Sequence, residues 1–449
     1  MERAQTGTPC KDRDFELKVV YQNLSSLIKE YKIHYDPEHP VLIDDDLTNA
    51  IFEVGFRLAL EAGIWCRDTE RIIKFDEEEL REGIRTSPRT LSLGVGRDSV
   101  EMRSRGVESD VTPVIAGGGA GIPVSESLYT RILGSFVKEP LIDVFGGSLT
   151  LTEIYGRQLM AGSPLEVLLV KREMELTKEA LNMVGRPGIH VIFGGGGVTS
   201  LGAIAACSTE GGFRKTDGLL LGVLPELKTD YVRLAMSTHL SSYGGIPVSL
   251  IEPVIGYAGG PDSAAVIGVA TVILSSLVYG AKYHLLGPVT VRPPSCTTNR
   301  ECLWVENAVG QALARNTKML ITNNIITAAG PCTKMVLYET AAAVVGNVPS
   351  GWHIGPGVGP ASTKYIDRCT GLETKFMAEC TTASMKLKRD EADRMANTLL
   401  AKYESELRDP PLGKSFSECF DVKTLNPSSE WLLVYRTVKR ELKDLGLEI

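Results

Sequence analysis

The residue with the clearest chemical signal is Glu252, a carboxylate inside an apolar segment. It lies in the run Ser-Leu-Ile-Glu-Pro-Val-Ile at residues 249–255. A carboxylate is rarely buried without a partner or a function, because burial disfavours its charged form. Such a group can bind a cation or donate a proton with a raised pKa. The alternative is a structural salt bridge, with Arg292 as the candidate partner, but the pattern favours a functional Glu252.

Polar residues follow three other apolar runs. Asn323 and Asn324 end the run 319–322, where an amide can hydrogen-bond a ligand or cap a turn. Glu226 follows the run 219–224 beside Lys228, which is typical of a solvated loop carboxylate. His190 shares a strand face with residue 192 but lies deeper, so we expect it to be structural.

A glycine-rich segment, GRPGIHVIFGGGG at residues 185–197, indicates a buried strand with a tight exit. The apolar residues 189–193 suit an interior strand. The glycines 194–197 either cradle a phosphate or allow a tight turn at the strand end, and both interpretations stay open.

Eight short apolar runs, each followed by a glycine or polar residue and then a helix pattern, must position these side chains. They are residues 113–116, 142–145, 189–193, 219–224, 248–251, 283–286, 319–322 and 352–354. Eight such βα units within about 250 residues predict a TIM (β/α)8 barrel, an α/β fold with its site at the carboxyl ends of the strands. A doubly wound sheet is the alternative, but no GxGxxG motif opens a βα turn.

We predict three regions along the 449 residues. Residues 1–110 form a helical and β-hairpin extension, residues 111–380 the catalytic barrel, and residues 381–449 a C-terminal helical extension. Helices are expected at 15–31, 46–62, 76–84, 382–407 and 431–445, and a hairpin at 91–96 and 100–103. Arg97, Asp98, Arg103 and Arg105 are expected to form a surface or interface ion network.

Composition excludes several classes of protein. The formal net charge of −7 and the lack of a basic run argue against nucleic-acid binding. The nine cysteines form no CxxC pair and follow no leader, which indicates reduced thiols in the cytoplasm and no zinc site. The longest apolar stretch, residues 264–278, is too short to span a membrane.

Seven collinear segments carry a resemblance to a known family. The chain resembles the archaeal monomethylamine methyltransferases, which work with a corrinoid protein. The segments are GIWCRDT (63–69), GVGRD (94–98), GRPG (185–188), GYAGG (256–260), GPV (287–289), AGPCT (329–333) and FDVKT (420–424). The resemblance implies a TIM barrel, a methylated amine substrate and a partner protein that carries the corrinoid (cobalamin). It also implies a homo-oligomer whose chain binds no metal itself.

The resemblance also implies the site residues. The family carries pyrrolysine on the strand after Gly-Arg-Pro-Gly, and an ungapped alignment from Gly185 puts Ile192 at that position. The family's catalytic glutamate falls on Glu252, a family glutamine on Asn324, and a nearby tyrosine on Ile326. The chain is therefore similar to a non-pyrrolysine member, with the carboxylate and an amide but without the electrophile and the phenol.

This replacement bears on the substrate. A neutral amine is a poor methyl donor unless it is protonated or anchored, whereas a quaternary ammonium or sulfonium compound is already cationic. Glu252 would complement that charge, and Asn324 would assist catalysis. We expect a dry substrate pocket lined by Ile192, Phe193, Ile326 and Tyr257. The alternatives are a non-catalytic paralogue that binds a corrinoid protein or assembles with active subunits, and an unrelated phosphate-binding barrel enzyme.

Overall fold

The computed structural model describes residues 1–119, 121–146, 149–194, 199–208 and 212–449. Its centre is a sheet of seven parallel strands whose order in space follows their order in the chain. The strands are β1 (Ala116–Gly118), β2 (Val144–Gly146), β3 (His190–Phe193), β4 (Gly218–Gly222), β5 (Ile246–Ile251), β6 (Tyr283–Leu286) and β7 (Ile321–Asn323). All seven fall on or beside predicted apolar runs.

Residues 353–354 close this sheet into a barrel. His353 bridges Thr322 of β7, and Ile354 bridges Ile115 just before β1, both in parallel register. The Ile354 N–H donates to the Val114 carbonyl at 3.0 Å, and the Ala116 N–H donates back to Ile354 at 2.7 Å. These bridges supply the eighth strand position, so the predicted TIM barrel is confirmed.

A helix follows each of the eight strand positions. These helices are Glu126–Val137, Pro164–Met183, Ser200–Ala206, Tyr231–Tyr243, Pro261–Val278, Arg300–Asn316, Lys334–Asn347 and Gly371–Ser384. The last of them runs across residue 380, where the sequence predicted the end of the barrel. The division into three regions stays a prediction.

Short strand pairs and 3-10 turns lie in the loops between these elements. The strands are Ile122–Pro123, Leu149–Thr150, Glu153–Ile154, Arg157–Gln158, Lys228–Thr229, Val254–Ile255, Val289–Thr290, Ile325–Ile326 and Val358–Gly359. Three of the pairs, Ile122–Pro123 with Leu149–Thr150, Val254–Ile255 with Val289–Thr290, and Ile325–Ile326 with Val358–Gly359, are parallel. They extend the barrel wall above its carboxyl end.

Alternate residues of each strand face the barrel interior or the surrounding helices. On β5, Ile246 and Val248 belong to the interior cluster, whereas Ile251 packs in the outer core. On β3, Ile192 faces the interior and Phe193 faces the helices. This two-residue period decides which side chains can reach the mouth of the barrel.

Helix Pro261–Val278 is apolar on all sides because it lies inside the protein. It has 18 residues with a mean hydropathy of 1.7, which is long and apolar enough to cross a membrane. It is 72% buried, and it packs against Asp45–Ala62 and Arg300–Asn316. It is thus a core helix, longer at its start than the predicted stretch because Pro261 suits the first helical position.

The N-terminal extension wraps one side and one end of the barrel. Its helices are Glu2–Thr6, Asp12–Asp14, the π-helix Phe15–Tyr21, Gln22–Tyr31, Asp45–Ala62 and Glu77–Thr86. Its strands are Thr8–Pro9, Ile64–Cys66, Arg71–Ile73, Thr90–Leu93 and Val100–Arg103. The last two form the predicted hairpin, and its Leu93 and Met102 join the interior cluster. The hairpin therefore plugs the barrel.

Arg105 does not belong to a surface network, which corrects the expectation above. It is 4% exposed and donates to the carbonyls of Val111 (2.8 Å), Val348 (3.0 Å) and Trp352. Burial lowers the pKa of its guanidinium to about 10. Because Trp352 starts the segment that closes the barrel, this buried arginine secures the closure.

The C-terminal extension consists of helices Arg389–Leu400, Phe416–Cys419 and Ser429–Asp444, and a two-strand pair, Phe420–Asp421 with Asn426–Pro427. The prediction of one helix at 382–407 is wrong. Lys388 is extended (φ −87°, ψ 158°), and the Glu391 carboxylate accepts its N–H at 2.9 Å, which starts a new helix.

Candidate active site

A cavity of about 290 Å³ lies at the carboxyl ends of the barrel strands. Its lining comes from the ends of several strands and from the helix after β4. The lining residues are Gly121, Gly194, Leu220, Gly222, Val232, Arg233, Met236, Leu250, Glu252, Asn324, Ile326 and Thr363. Three predicted site residues, Glu252, Asn324 and Ile326, therefore meet in one cavity.

Glu252 reaches the cavity because it continues the inward-facing series of β5. Ile246 and Val248 face the interior below it, and Leu250 lines the cavity beside it. Its carboxylate has no hydrogen bond or ion pair with the described residues. The Glu252 side chain is solvent-exposed where it faces the cavity, not buried as the sequence suggested. The surrounding barrel mouth still partly desolvates the carboxylate, which raises the pKa of Glu252. The predicted alternative partner, Arg292, instead pairs with Glu301 at 2.7 Å.

Asn324 lines the same cavity, and its side-chain amide is buried without a partner among the described residues. It is 1% exposed, and neither its Oδ1 nor its Nδ2 has a hydrogen-bond partner among the described residues. Gly287, after β6, gives this side chain its space, since a β-carbon there would lie 2.7 Å from the Asn324 Cβ. By contrast, the neighbouring Asn323 accepts the Gly355 N–H at 3.0 Å. Asn324 is thus the asparagine that lines the cavity and has both amide atoms unpaired, whereas only Nδ2 of Asn323 is unpaired.

Ile192 lies one layer below the cavity. It is 4% exposed within the interior cluster, together with Leu220, which does line the cavity. At the end of the same strand, Gly194 reaches the cavity and carries no side chain of its own. This corner of the cavity is therefore apolar and has no reactive group among the described residues.

The structure does not bring Phe193 and Tyr257 to the cavity. Phe193 is 3% exposed and packs in the outer core between the barrel and its helices. Tyr257 is 53% exposed on the rim, where its hydroxyl donates to Glu16 at 2.5 Å. Both residues, which were predicted to line the pocket, therefore lie outside the cavity lining.

Arg233 lines the cavity although the sequence analysis missed it. Its Nε donates to the Gly222 carbonyl at 2.6 Å, and its Nη1 lies 2.5 Å from Asp230. It lies in the first turn of helix Tyr231–Tyr243, which Asp230 caps. The prediction considered only residues at strand ends, whereas the first turn of the next helix also faces a barrel mouth.

Glu226 is not a solvated loop carboxylate, which corrects the sequence expectation. It is 4% exposed, and its Oε1 accepts the Val254 N–H at 2.9 Å. Burial raises its pKa to about 7. Lys228, which the sequence suggested as its neighbour in solvent, instead binds Asp12 at 2.7 Å and Glu16. Glu226 thus supports the loop that carries Glu252.

His190, which was predicted to be structural, is buried and hydrogen-bonded, and so is His353. His190 Nε2 lies 3.0 Å from the Tyr283 hydroxyl inside the barrel, and burial lowers its pKa. His353 accepts the Val114 N–H at 2.8 Å.

The glycines 195–197 of the suggested phosphate loop lie outside the described residues. Within the described part of the chain, no group of three or more His, Cys, Asp or Glu side chains is placed to hold a metal.

Comparison with known proteins decides the family. The family model for monomethylamine methyltransferase MtmB matches residues 1–447. The chain belongs to the MtmB family. It is accordingly a methyltransferase.

Individual MtmB proteins align over nearly their whole length. The Methanosarcina mazei enzyme is 34% identical over 449 residues, which cover 99% of this chain and 97% of the relative. MtmB1 of Methanosarcina acetivorans shows the same identity and coverage. The crystal structure of Methanosarcina barkeri MtmB superimposes with a TM-score of 0.94 at 33% identity, covering 99% of this chain and 97% of that one. The crystal structure of a hydroxylamine MtmB complex matches with the same TM-score.

Proposed function

We propose that this MtmB-family protein transfers a methyl group from a methylated ammonium compound to a corrinoid protein. We further propose that the donor is permanently cationic, as in a quaternary amine, rather than monomethylamine. The observation that carries both statements is the pairing of an unpartnered carboxylate, Glu252, with an unpartnered amide, Asn324, in a small cavity at the barrel mouth.

Glu252 complements a cationic donor. An ammonium group about 4 Å from an ionised carboxylate gains on the order of 4 kcal/mol at an effective dielectric constant of about 20. The other charged group of the lining, Arg233, is already paired with Asp230 at 2.5 Å. The negative charge of Glu252 is therefore available to a ligand, and a bound cation favours its ionised form.

The apolar part of the lining suits methyl groups. Leu220, Met236, Leu250 and Ile326 surround the cavity with hydrocarbon. Such a wall excludes water from a bound ligand, which strengthens its interaction with Glu252. The amide of Asn324 fixes the orientation of the ligand by accepting or donating one hydrogen bond.

Ile192 supports the choice of a permanently cationic donor. Isoleucine offers no electrophile to anchor an amine, and the side chain lies below the cavity floor rather than in it. A donor whose nitrogen already carries the charge needs no such anchor, because its leaving group departs as a neutral amine. We therefore propose that this chain is a non-pyrrolysine member of the family whose substrate differs from monomethylamine.

The rim of the barrel mouth suits a protein partner. Large apolar side chains in the loops and first helical turns after the strands are exposed there: Tyr155, Met160, Leu201, Tyr231, Tyr257, Val291, Tyr365 and Ile366. Exposed apolar side chains grouped around a cavity mark protein interaction sites. A docked corrinoid protein would supply Co(I) as the nucleophile and acceptor of the methyl group, and the C–N electron pair would leave with the neutral amine. The residues of this chain bind and orient the donor and exclude water.

All nine cysteines are unpaired, which supports the expected cytoplasmic location.

The test is demethylation of candidate donors with the cognate corrinoid protein in its Co(I) state. The absorbance change of the corrinoid measures the methyl transfer. We expect turnover with a quaternary ammonium donor and none with monomethylamine. The absence of turnover with every quaternary amine would contradict the proposed donor. Turnover with monomethylamine would contradict the argument from Ile192. Binding of the corrinoid protein without any methyl transfer would favour the non-catalytic paralogue instead.

A further inference from the structure

The cavity carries charges of both signs that do not neutralise each other. Glu252 and Arg233 both line it, and no ion pair joins them. Desolvation by the barrel mouth is the cause of the raised pKa of Glu252, and no nearby cation lowers it. The two groups therefore act as separate binding points on one small cavity.

Arg233 has donor capacity left after its contacts within the protein. A guanidinium has five N–H donors, and this one uses its Nε on Gly222 and its Nη1 on Asp230. Its Nη2 has no hydrogen-bond partner among the described residues, and 27% of the side chain is exposed. An arginine edge with free donors at a cavity wall is suited to a carboxylate.

The helix that carries Arg233 adds to this preference. Helix Tyr231–Tyr243 begins at the cavity, with Val232, Arg233 and Met236 on the lining. The N-terminal end of a helix has a partial positive charge that favours anions. Asp230 uses part of this field as the helix cap, accepting the Arg233 N–H at 2.9 Å, but it does not line the cavity.

We propose that the donor is a zwitterion, an N-methylated amino acid whose cationic nitrogen faces Glu252 and whose carboxylate binds Arg233. This inference rests on the proposed function and names its substrate class. A cavity of about 290 Å³ with an apolar wall between two opposite charges fits a small molecule of this type. A simple tetraalkylammonium ion would leave the free edge of Arg233 without a partner.

Two ligands that differ in the carboxylate test the assignment. N,N,N-trimethylglycine and choline share the trimethylammonium group and similar length, and only the first carries a carboxylate. Titration calorimetry on the full-length protein should show trimethylglycine binding at least tenfold more tightly than choline. In Arg233→Gln, we expect the affinity for trimethylglycine to fall at least tenfold, which corresponds to about 1.4 kcal/mol. The affinity for choline should change by less than about twofold, because choline has no carboxylate.

A second variant is expected to strengthen carboxylate binding instead of weakening it. It keeps the proposal testable if Arg233→Gln fails to fold. Asp230→Asn keeps a side-chain oxygen for the helix cap but removes the negative charge that competes for Arg233. We expect this variant to bind trimethylglycine several-fold more tightly than the wild-type protein does and to bind choline with unchanged affinity. Equal binding of the two ligands to the wild-type protein, or an unchanged ratio in both variants, overturns the zwitterion assignment. Failure of choline, tetramethylammonium and trimethylglycine alike to bind overturns the proposed cationic donor itself.

Discussion

Glu252 and Asn324 directly follow strands β5 and β7 and line one cavity, and neither side chain has a hydrogen-bond partner among the described residues. Polar groups enclosed in a protein are normally paired, because an unpaired one costs about 1–3 kcal/mol. Asn324 is such a buried group, and Glu252 lines the same cavity as a solvent-exposed carboxylate without a partner among the described residues. Together they indicate a binding site at the mouth of the barrel.

Glu252→Gln should weaken binding of tetramethylammonium at least tenfold, equivalent to about 1.4 kcal/mol, because the amide removes the charge but keeps the size. Turnover of the cationic donor should fall with it. Calorimetry and the corrinoid absorbance assay measure the two effects. Glu301→Gln is the matched control, since Glu301 pairs with Arg292 outside the cavity lining. Wild-type affinity in Glu252→Gln would remove this carboxylate from the site.

Binding of tetramethylammonium should tighten as pH rises through the raised pKa of Glu252. The carboxyl must be ionised to attract the cation, and desolvation shifts its ionisation to a pH above the usual range. Binding within this range should also release protons, which calorimetry in buffers of different ionisation enthalpy detects. In Glu252→Gln the pH dependence should flatten. A wild-type affinity independent of pH would contradict the role of this group.

Asn324→Leu should weaken donor binding but keep or raise the free energy of unfolding. The leucine replaces an unpaired amide with an apolar group of similar size, a change that is neutral or stabilising by about 1 kcal/mol. Asn323→Leu is the matched neighbour, and it should destabilise by about 1–3 kcal/mol because it leaves the Gly355 N–H unpaired. Urea denaturation distinguishes the two. Equal destabilisation by both variants would indicate that Asn324 is structural.

The free energy of unfolding should fall as pH rises from about 5 to about 8. Burial raises the pKa of Glu306 to about 8, and one of its oxygens has no partner among the described residues. Because the folded protein binds this proton more tightly than the unfolded chain, its stabilising contribution is complete below the usual glutamate pKa. It is lost as pH approaches 8, with a slope of up to about 1.4 kcal/mol per pH unit.

Glu306→Gln should reduce this slope, since the amide oxygen still accepts the Asn347 side-chain N–H but does not titrate. Other buried carboxyls, such as Glu339 and Glu373, maintain part of the slope because burial raises their pKa values as well. Urea denaturation at several pH values measures the difference, with exposed Glu78→Gln as the control. An identical slope in wild type and Glu306→Gln would show that Glu306 does not titrate in this range.

Arg105→Gln should lower the free energy of unfolding by about 3 kcal/mol or more, because it leaves buried carbonyls of the closing segment without donors. Arg103→Gln, two residues away, should cost less than about 1 kcal/mol, since Arg103 pairs with Glu101 in solvent. Chemical denaturation compares the two variants. Similar small effects of both would contradict a role of Arg105 in closing the barrel.

The sequence was most informative where a pattern is local. Continuous apolar runs predicted the seven strands and the closing segment at 352–354, since a parallel strand buried on both faces must be apolar throughout. The acidic residues before helix Asp45–Ala62 marked its start, and Asp44 indeed accepts the N–H groups of Asp46 and Leu47. Glu252 also stood out locally, as a carboxylate within such a run.

Burial of charged groups could not be determined in this way. Glu226 lies two residues from Lys228 and Arg105 follows Ser104, and both were expected at the surface, yet each is 4% exposed. Their partners, Val254 for Glu226 and Val348 for Arg105, are distant in the chain. A buried ion is stabilised by contacts that only chain folding creates, and no local spacing encodes them.

The sequence by itself determined the barrel, its family resemblance and the identity of the carboxylate and amide at its mouth. The tertiary structure alone decided which side chains share the cavity: it brought Arg233 in, left Phe193 outside the barrel, and put Ile192 beneath the floor. The physical reason is strand geometry. Successive residues of a strand point to opposite faces, and the depth of each inward residue depends on how neighbouring strands are staggered across the barrel.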